Sequence, residues 1–303
     1  MQRTRRVALV AAMVGLSGCG SLGAHAPPAR LQVPAPLISP EEEALLGANL
    51  DAVINSETRA APGALQDYFQ TLLDQLVDAA AADRDGMILS VKVLDNPEIG
   101  NVFATPSGSI YITSGILLSA ADEAEVVAVV AHELGHVVKG HPLARLLRGL
   151  GLAQVKSLAV SQSALGRDQQ LSGALTSATY ALMTGGAQLR YLPEEETEAD
   201  GRALGYLDRE GFDTGALGSF LGSPSKADPN PLSTLHAAHP MSLSRLASMP
   251  ARHSRKKPRA TPALVALKEM VSDRKAENRR QAKKALGKNN SGEPGLDKAS
   301  ARR

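Results

Sequence analysis

The stretch DEAEVVAVVAHELGHVVK, residues 122–139, decides how the rest of the chain is read. Ser119-Ala120-Ala121-Asp122 in front of it has capping-box character, with Asp in the place of the usual Glu, and predicts a helix over about Asp122–Lys139. Within that helix His132-Glu133-Leu134-Gly135-His136 puts two histidines four residues apart, one above the other on a single face. Both imidazoles can then reach one metal ion at about 2.0–2.1 Å. Glu133 is turned away from His132 by one residue, so its carboxylate can sit beside the metal without binding it. That is the position of a general base acting on water.

A catalytic zinc usually takes three protein ligands and leaves one position open. A third histidine at the usual spacing would need Gly at 139 and His at 142, but the chain has Lys139 and Pro142. His141 falls one place short and reads as a histidine behind the site or on the surface rather than a ligand, and it is left out of the candidate site. The carboxylate route needs a Glu from a second helix, and the segment starting at Pro193 offers Glu194, Glu195, Glu196 and Glu198. Register favours Glu196. With Ala199, Asp200, Ala203, Leu204 and Leu207 it forms one helical face, on which the two alanines permit close helix approach. Asp200, one turn on, can accept the ring N–H of a ligand histidine and fix its tautomer. Glu194 and Glu195 suit the positive end of the helix.

Working outward, Ile88–Leu94 is β-branched and partly alternating, and Asn101–Thr105 and Ser109–Thr113 flank Pro106-Ser107-Gly108, a stretch of turn composition. These predict a small antiparallel sheet of about three strands. Helical periodicity starts after Ser39-Pro40, where Glu41–Glu43 suit a helix start, and recurs over Pro62–Ala82 with Leu65, Phe69, Leu72, Leu73, Leu76 and Val77 on one face. Helical stretches continue through 142–190, broken by glycines, and another runs from Pro193 to about Glu210 before Gly211. The class is α+β, mainly helical. Aromatic residues are 3% of the chain and Trp is absent, so packing rests on Ala, Leu and Val.

Charge is segregated along the chain. Residues 251–303 carry 16 Lys/Arg against 5 Asp/Glu, whereas 19–250 carry 14 against 26. An acidic body therefore precedes a basic tail of residues 251–303, expected to be largely disordered with at most a solvated helix over Pro262–Leu286. Arg3, Arg5 and Arg6 precede an apolar run, Val7–Leu16, too short to span a bilayer. The run ends in Leu16-Ser17-Gly18-Cys19, which resembles the bacterial lipobox, and Cys19 is the only cysteine. That resemblance implies a signal peptide over 1–18, lipidation of Cys19, and a tether of residues 19–40 rich in Gly, Ala and Pro. Gly20, where an inner-membrane retention signal has Asp, implies an outer-membrane anchor facing the periplasm.

Taken together, HELGH at 132–136, ETEAD at 196–200 and NVFATPSGSIYITSG at 101–115 resemble, in order and spacing, the gluzincin metallopeptidases related to HtpX and the CAAX prenyl protease. The soluble periplasmic, BepA-like branch is the nearer likeness, and His239-Pro240 with Arg245 matches that family's late His-Pro…Arg element. The resemblance covers about residues 40–250. It implies a zincin-type domain over 41–250 with one Zn²⁺ held by His132, His136 and Glu196, and Glu133 as base. It also implies that His239 and Arg245 line the site and that the Asn101 strand aligns substrate backbone. The expected activity is zinc-dependent endopeptidase action on periplasmic or outer-membrane proteins. The rival is a latent or inactive scaffold acting as a chaperone or adaptor. For the tail nucleic acid is not the expected partner; an anionic envelope surface or an acidic partner ranks ahead of it, and a tail that is merely solvated ranks ahead of both.

Overall fold

The computed structural model describes residues 37–81, 83, 87–160, 173–174, 176–179, 181, 190–222, 231–252 and 261–290. The expected leader, Cys19, most of the tether, much of 161–190 and residues 291–303 lie outside the described residues. Among the described residues no helix is long and apolar enough to cross a membrane.

Helix α1 (Pro40–Glu57) starts on a complete capping box. The Ser39 hydroxyl accepts from the Glu42 N–H at 3.2 Å, and the Glu42 carboxylate accepts from the Ser39 N–H at 2.9 Å. Helix α2 (Gly63–Ala81) buries the expected face, with Leu65, Phe69, Leu72, Leu73 and Leu76 all inside. The three strands are β1 (Ser90–Leu94), β2 (Val102–Ala104) and β3 (Ser109–Thr113), in the order β1-β3-β2. The sheet is mixed rather than antiparallel throughout: β2 and β3 form the expected hairpin around Gly108, while β1 runs parallel to β3 on its far side. The reason is the connection after β1. Residues 95–101 form no tight turn and carry the chain past β3, where Ser114 and Gly115 N–H donate to the Leu94 and Asn96 carbonyls, so β1 lies on β3's second edge.

This order leaves β2 at an edge. Thr113 N–H donates to the Asn101 carbonyl and Thr105 N–H to the Ser109 carbonyl, both at 3.0 Å. Hydrogen-bonded and non-bonded pairs alternate, so the backbone groups of Val102 and Ala104 point away from β3, although both residues are buried in this conformation.

A short helix α3 (Ile116–Ser119) leads into α4 (Glu123–Val138), whose N-cap is Asp122 rather than Ser119. The Asp122 carboxylate accepts from the Glu125 N–H at 3.1 Å, and Ser119 ends α3. Every residue of α4 from Glu125 to Val138 is buried. It packs most extensively on α7 (Pro193–Arg209), and also on β2, on α2 and on α8 (Ala216–Gly222). At Gly135 the backbones of α4 and α7 are in close contact. A Cβ there would stand 2.7 Å from the Ala199 carbonyl oxygen, so only glycine lets the helices meet at this depth.

Gly140, in the left-handed conformation at φ 69°, turns the chain from α4 into α5 (His141–Leu150), which α6 (Leu152–Val160) follows. Leu146 and Leu147 of α5 join Val155 and Leu158 of α6 against Leu46, Leu50 and Val53 of α1 in a second apolar cluster. Helices α9 (Ser233–Ala238) and α10 (Leu243–Ser248) frame His239. The last described element, α11 (Pro262–Asn290), departs from the expected solvated segment: Leu264, Leu267 and Val271 are buried against the main core. Arg274 pairs with Asp95, and Arg279 with Glu98 at 2.9 Å, tying the helix to the loop after β1.

Candidate metal centre

The two histidines of HELGH lie together on one face of α4. His132 Nε2 and His136 Nε2 stand 3.1 Å apart. Across the Gly135–Ala199 contact, Glu196 of α7 points its carboxylate at both, with Oε2 3.4 Å from His132 Nε2 and Oε1 3.5 Å from His136 Nε2. The four acids at the start of α7 separate as register predicts for Glu196. Glu195 receives the Leu192 N–H at 2.9 Å and a bidentate pair from Arg148 at 2.5 and 2.7 Å. Glu198 lies 3.4 Å from Lys139, and Glu194 is exposed. Only Glu196 faces the histidines.

His239 completes the group. Its Nδ1 lies 3.3 Å from His132 Nε2 and 3.0 Å from Glu196 Oε1, and one donor atom from each of the four residues fits within 4.8 Å. Ligands held tetrahedrally at 2.0–2.1 Å from zinc stand roughly 3.3 Å from one another. The observed separations of 3.0–3.5 Å therefore suit a zinc ion at the common centre. Both Glu196 oxygens are buried without a well-directed hydrogen bond, and only Oε2 has a cation beside it, Arg245 Nη1 at 2.7 Å, which leaves Oε1 among the imidazoles. A donor set left in that condition is one prepared for a cation. Glu133 is fully buried, with Oε1 3.2 Å from His239 Nε2, beside the donor group and outside it.

Each α4 histidine is held from behind. His132 Nδ1 stands 2.9 Å from Asp200 Oδ1, the partner expected for it. Burial opposes charge on this imidazole, yet the Asp200 and Glu196 carboxylates raise its pKa to about 10. Arg245 forks onto Asp200 at 2.7 and 2.9 Å, and its Nη1 meets the Pro240 carbonyl at 2.7 Å and Glu196 Oε2 at 2.7 Å. Burial also opposes ionisation of Glu196, but His239 and the two α4 histidines hold its pKa well below the usual carboxylate range. Arg245 is thus buried in the support of Asp200 and Glu196 rather than presented to a ligand. Behind His136 stands His141, Nδ1 to Nδ1 at 2.9 Å, with Glu198 3.5 Å from its other nitrogen. The Tyr191 ring stacks on His136 with centroids 3.7 Å apart and planes 15° from parallel, and burial pushes the His136 pKa well down.

His141, Tyr191 and Arg145 are the neighbours that sequence reading did not place. His141 carried a signal, five residues after His136, but its contact depends on the left-handed turn at Gly140. Tyr191 had none beyond lying two residues before Pro193. Asn101 lies immediately before the edge strand β2, its N–H donating to Thr113 Oγ1 at 2.8 Å, and is not among the donor residues.

With this geometry in place, comparison with known proteins gives a family. The model described as Peptidase family M48 matches residues 64–253, and the chain belongs to that family. It is 30% identical over 176 residues to the beta-barrel assembly-enhancing protease of Escherichia coli (strain K12), covering 55% of this chain and 34% of that protein. It is equally similar over the same length to Metalloprotease YcaL of the same strain, covering 66% of it. Mitochondrial metalloendopeptidase OMA1 of Arabidopsis thaliana is 34% identical over 80 residues, 26% of this chain and 16% of the relative. The chain thus matches about a third of the first relative's length and just under two thirds of the second's.

Proposed function

We propose that this M48 chain is a zinc-dependent endopeptidase that hydrolyses peptide bonds of periplasmic or outer-membrane proteins, misfolded ones above all. The observation that carries the reading is the His132–His136–Glu196–His239 donor group with Glu133 beside it. Zinc, when bound, supplies a Lewis acid for the scissile carbonyl and lowers the pKa of water to about 7. Glu133 takes the proton of the attacking water and later delivers it to the leaving amine. Asp200 and Arg245 hold His132 and Glu196 in place while charge shifts at the centre. The outward-facing backbone groups of Val102 and Ala104 on β2 give an extended substrate a strand to pair with, which aligns it without demanding a sequence.

A second reading rests on His239. Its Nδ1, 3.3 Å from His132 Nε2 and 3.0 Å from Glu196 Oε1, stands where a substrate carbonyl would need to approach, which supports a latent form that opens when the segment between α9 and α10 withdraws. A scaffold fixed in that state would act as a chaperone or adaptor. Lipidation at Cys19, an outer-membrane location facing the periplasm, and contact of the basic tail with an anionic envelope surface complete the proposal; they rest on the lipobox resemblance and on charge.

Zinc-loaded protein should cleave casein or an unfolded outer-membrane protein. The Glu133→Gln variant should bind one zinc and lose activity by about 10²–10⁴-fold, the usual contribution of a positioned acid–base group. Activity retained in that variant would remove Glu133 from the mechanism. Wild type that binds zinc and suppresses aggregation, yet cleaves nothing even as His239→Ala, would favour the scaffold.

A further inference from the structure

We propose that Arg145 and Tyr191 form a carboxylate-binding pocket beside the metal centre, which receives an acidic side chain or the C-terminal carboxylate of a bound peptide. The inference rests on the peptide-binding role proposed above. Arg145, on α5, is wholly buried, and none of Nε, Nη1 and Nη2 has a hydrogen-bond acceptor. A guanidinium offers five N–H donors in a fixed planar fork and stays charged at any physiological pH. A buried charge left without a partner is strongly unfavourable, so its persistence calls for an explanation. The site's other arginines show the contrast: Arg148, one turn along the same helix, forks onto Glu195, and Arg245 forks onto Asp200.

Among the described residues the guanidinium of Arg145 lies over the ring of Tyr191, whose centroid is 4.3 Å from its central carbon. Tyr191 is itself buried, and its phenolic oxygen has no partner either. The other face of that ring lies on His136, because an imidazole at 3.7 Å and a guanidinium at 4.3 Å cannot share one face. The unsatisfied fork is therefore one ring's thickness behind a metal ligand. Cation–π attraction offsets only part of the missing hydration. A planar bidentate acceptor satisfies the fork, and a carboxylate has that shape.

Among the described residues no carboxylate meets the fork: Glu195 is held by Arg148, Glu198 lies on Lys139, Glu196 is in the donor group and Glu133 stands 3.2 Å from His239. The acceptor proposed is therefore one that the ligand brings. A peptide bond held at the metal sets the reach. At roughly 3.4 Å per extended residue, a carboxylate two or three positions away arrives at the fork. Access is no separate obstacle: the four donor residues are also buried, so any substrate requires the cover to part. Tyr191 belongs to that cover, touching His136, His239 and Arg145.

The test uses the full zinc-loaded chain carrying Glu133→Gln, so that bound peptides stay whole. Fluorescence anisotropy compares peptides differing only by Glu against Gln at each position, and by a free against an amidated C-terminus. One carboxylate form should bind at least about tenfold tighter than its neutral twin, and adding Arg145→Met should bring the ratio near one. The Glu/Gln arm and the C-terminal arm tell the two sources apart. Arg145→Met should also raise Tm, because it removes an uncompensated buried cation. If that variant does not fold, Arg145→Lys decides, since it keeps the charge, loses the fork, and should lower the ratio. No carboxylate preference, or one that survives in the variants, overturns the pocket. A lowered Tm with an unchanged ratio assigns Arg145 to the scaffold. Since binding to a non-cleaving variant is measured, a chain that proves not to be a peptidase leaves this result readable.

Discussion

At the scale of single residues the centre is a set of charges that tolerate one another only through a cation. Four donors converge within 4.8 Å, and Asp200 and Arg245 stand directly behind two of them. Asp200 fixes the tautomer of His132 and carries the negative charge that makes its imidazole a better ligand. Asp200→Asn keeps the shape but drops that charge and half of the pairing with Arg245. It should weaken zinc binding by about 10–100-fold, as losses of such outer partners commonly do. Competition against a chromophoric chelator measures this directly. An unchanged affinity would mean that the 2.9 Å approach of Asp200 to His132 orients nothing.

At the scale of elements, α4 against α7 is the joint on which the site depends. The two helices were legible because their signals are local: two histidines at i, i+4, and an apolar face that includes Glu196 and Asp200. Close approach was legible in Ala199 and Ala203, whereas the place of contact, Gly135 against Ala199, is set by how the two helices cross. Parallel pairing of β1 was not legible, because it depends on where the 95–101 connection carries the chain rather than on the strands' own residues. His141, Tyr191 and Arg145 stayed hidden for a similar reason, since a left-handed residue and the start of the next helix decide where they fall. Gly135→Ala should force α4 from α7, costing about 1–3 kcal/mol as overpacking does, and should lower zinc affinity with it. Gly201→Ala, on α7 where an added Cβ meets nothing within 4 Å, should instead stabilise by about 0.5–1 kcal/mol. Thermal unfolding of the two variants separates the joint from a general effect of helix glycines. Equal and opposite shifts are not required, but a stabilised Gly135→Ala would show that the helices are not in contact there.

At the scale of the whole molecule, the segregated charge has an intramolecular component. The basic segment folds back as α11, and Arg274, Lys275 and Arg279 meet Asp95 and Glu98 on the loop after β1. Composition predicted solvation because Leu264, Leu267 and Val271 are few among many cations. Their spacing of three and four residues nevertheless makes a stripe, and that stripe is buried. The helix should therefore behave as two halves. Leu264→Ala should cost about 2–4 kcal/mol, the range for a large core side chain truncated in place. In a domain of this size each kcal/mol is worth about 2–4 °C, so Tm should fall by about 4–16 °C. Lys284→Glu, on the exposed half, should stay within about 0.5 kcal/mol of wild type. Calorimetry of both variants at one zinc concentration is the comparison to make, because bound metal itself raises Tm. Were α11 merely solvated, Leu264→Ala would be as silent as Lys284→Glu.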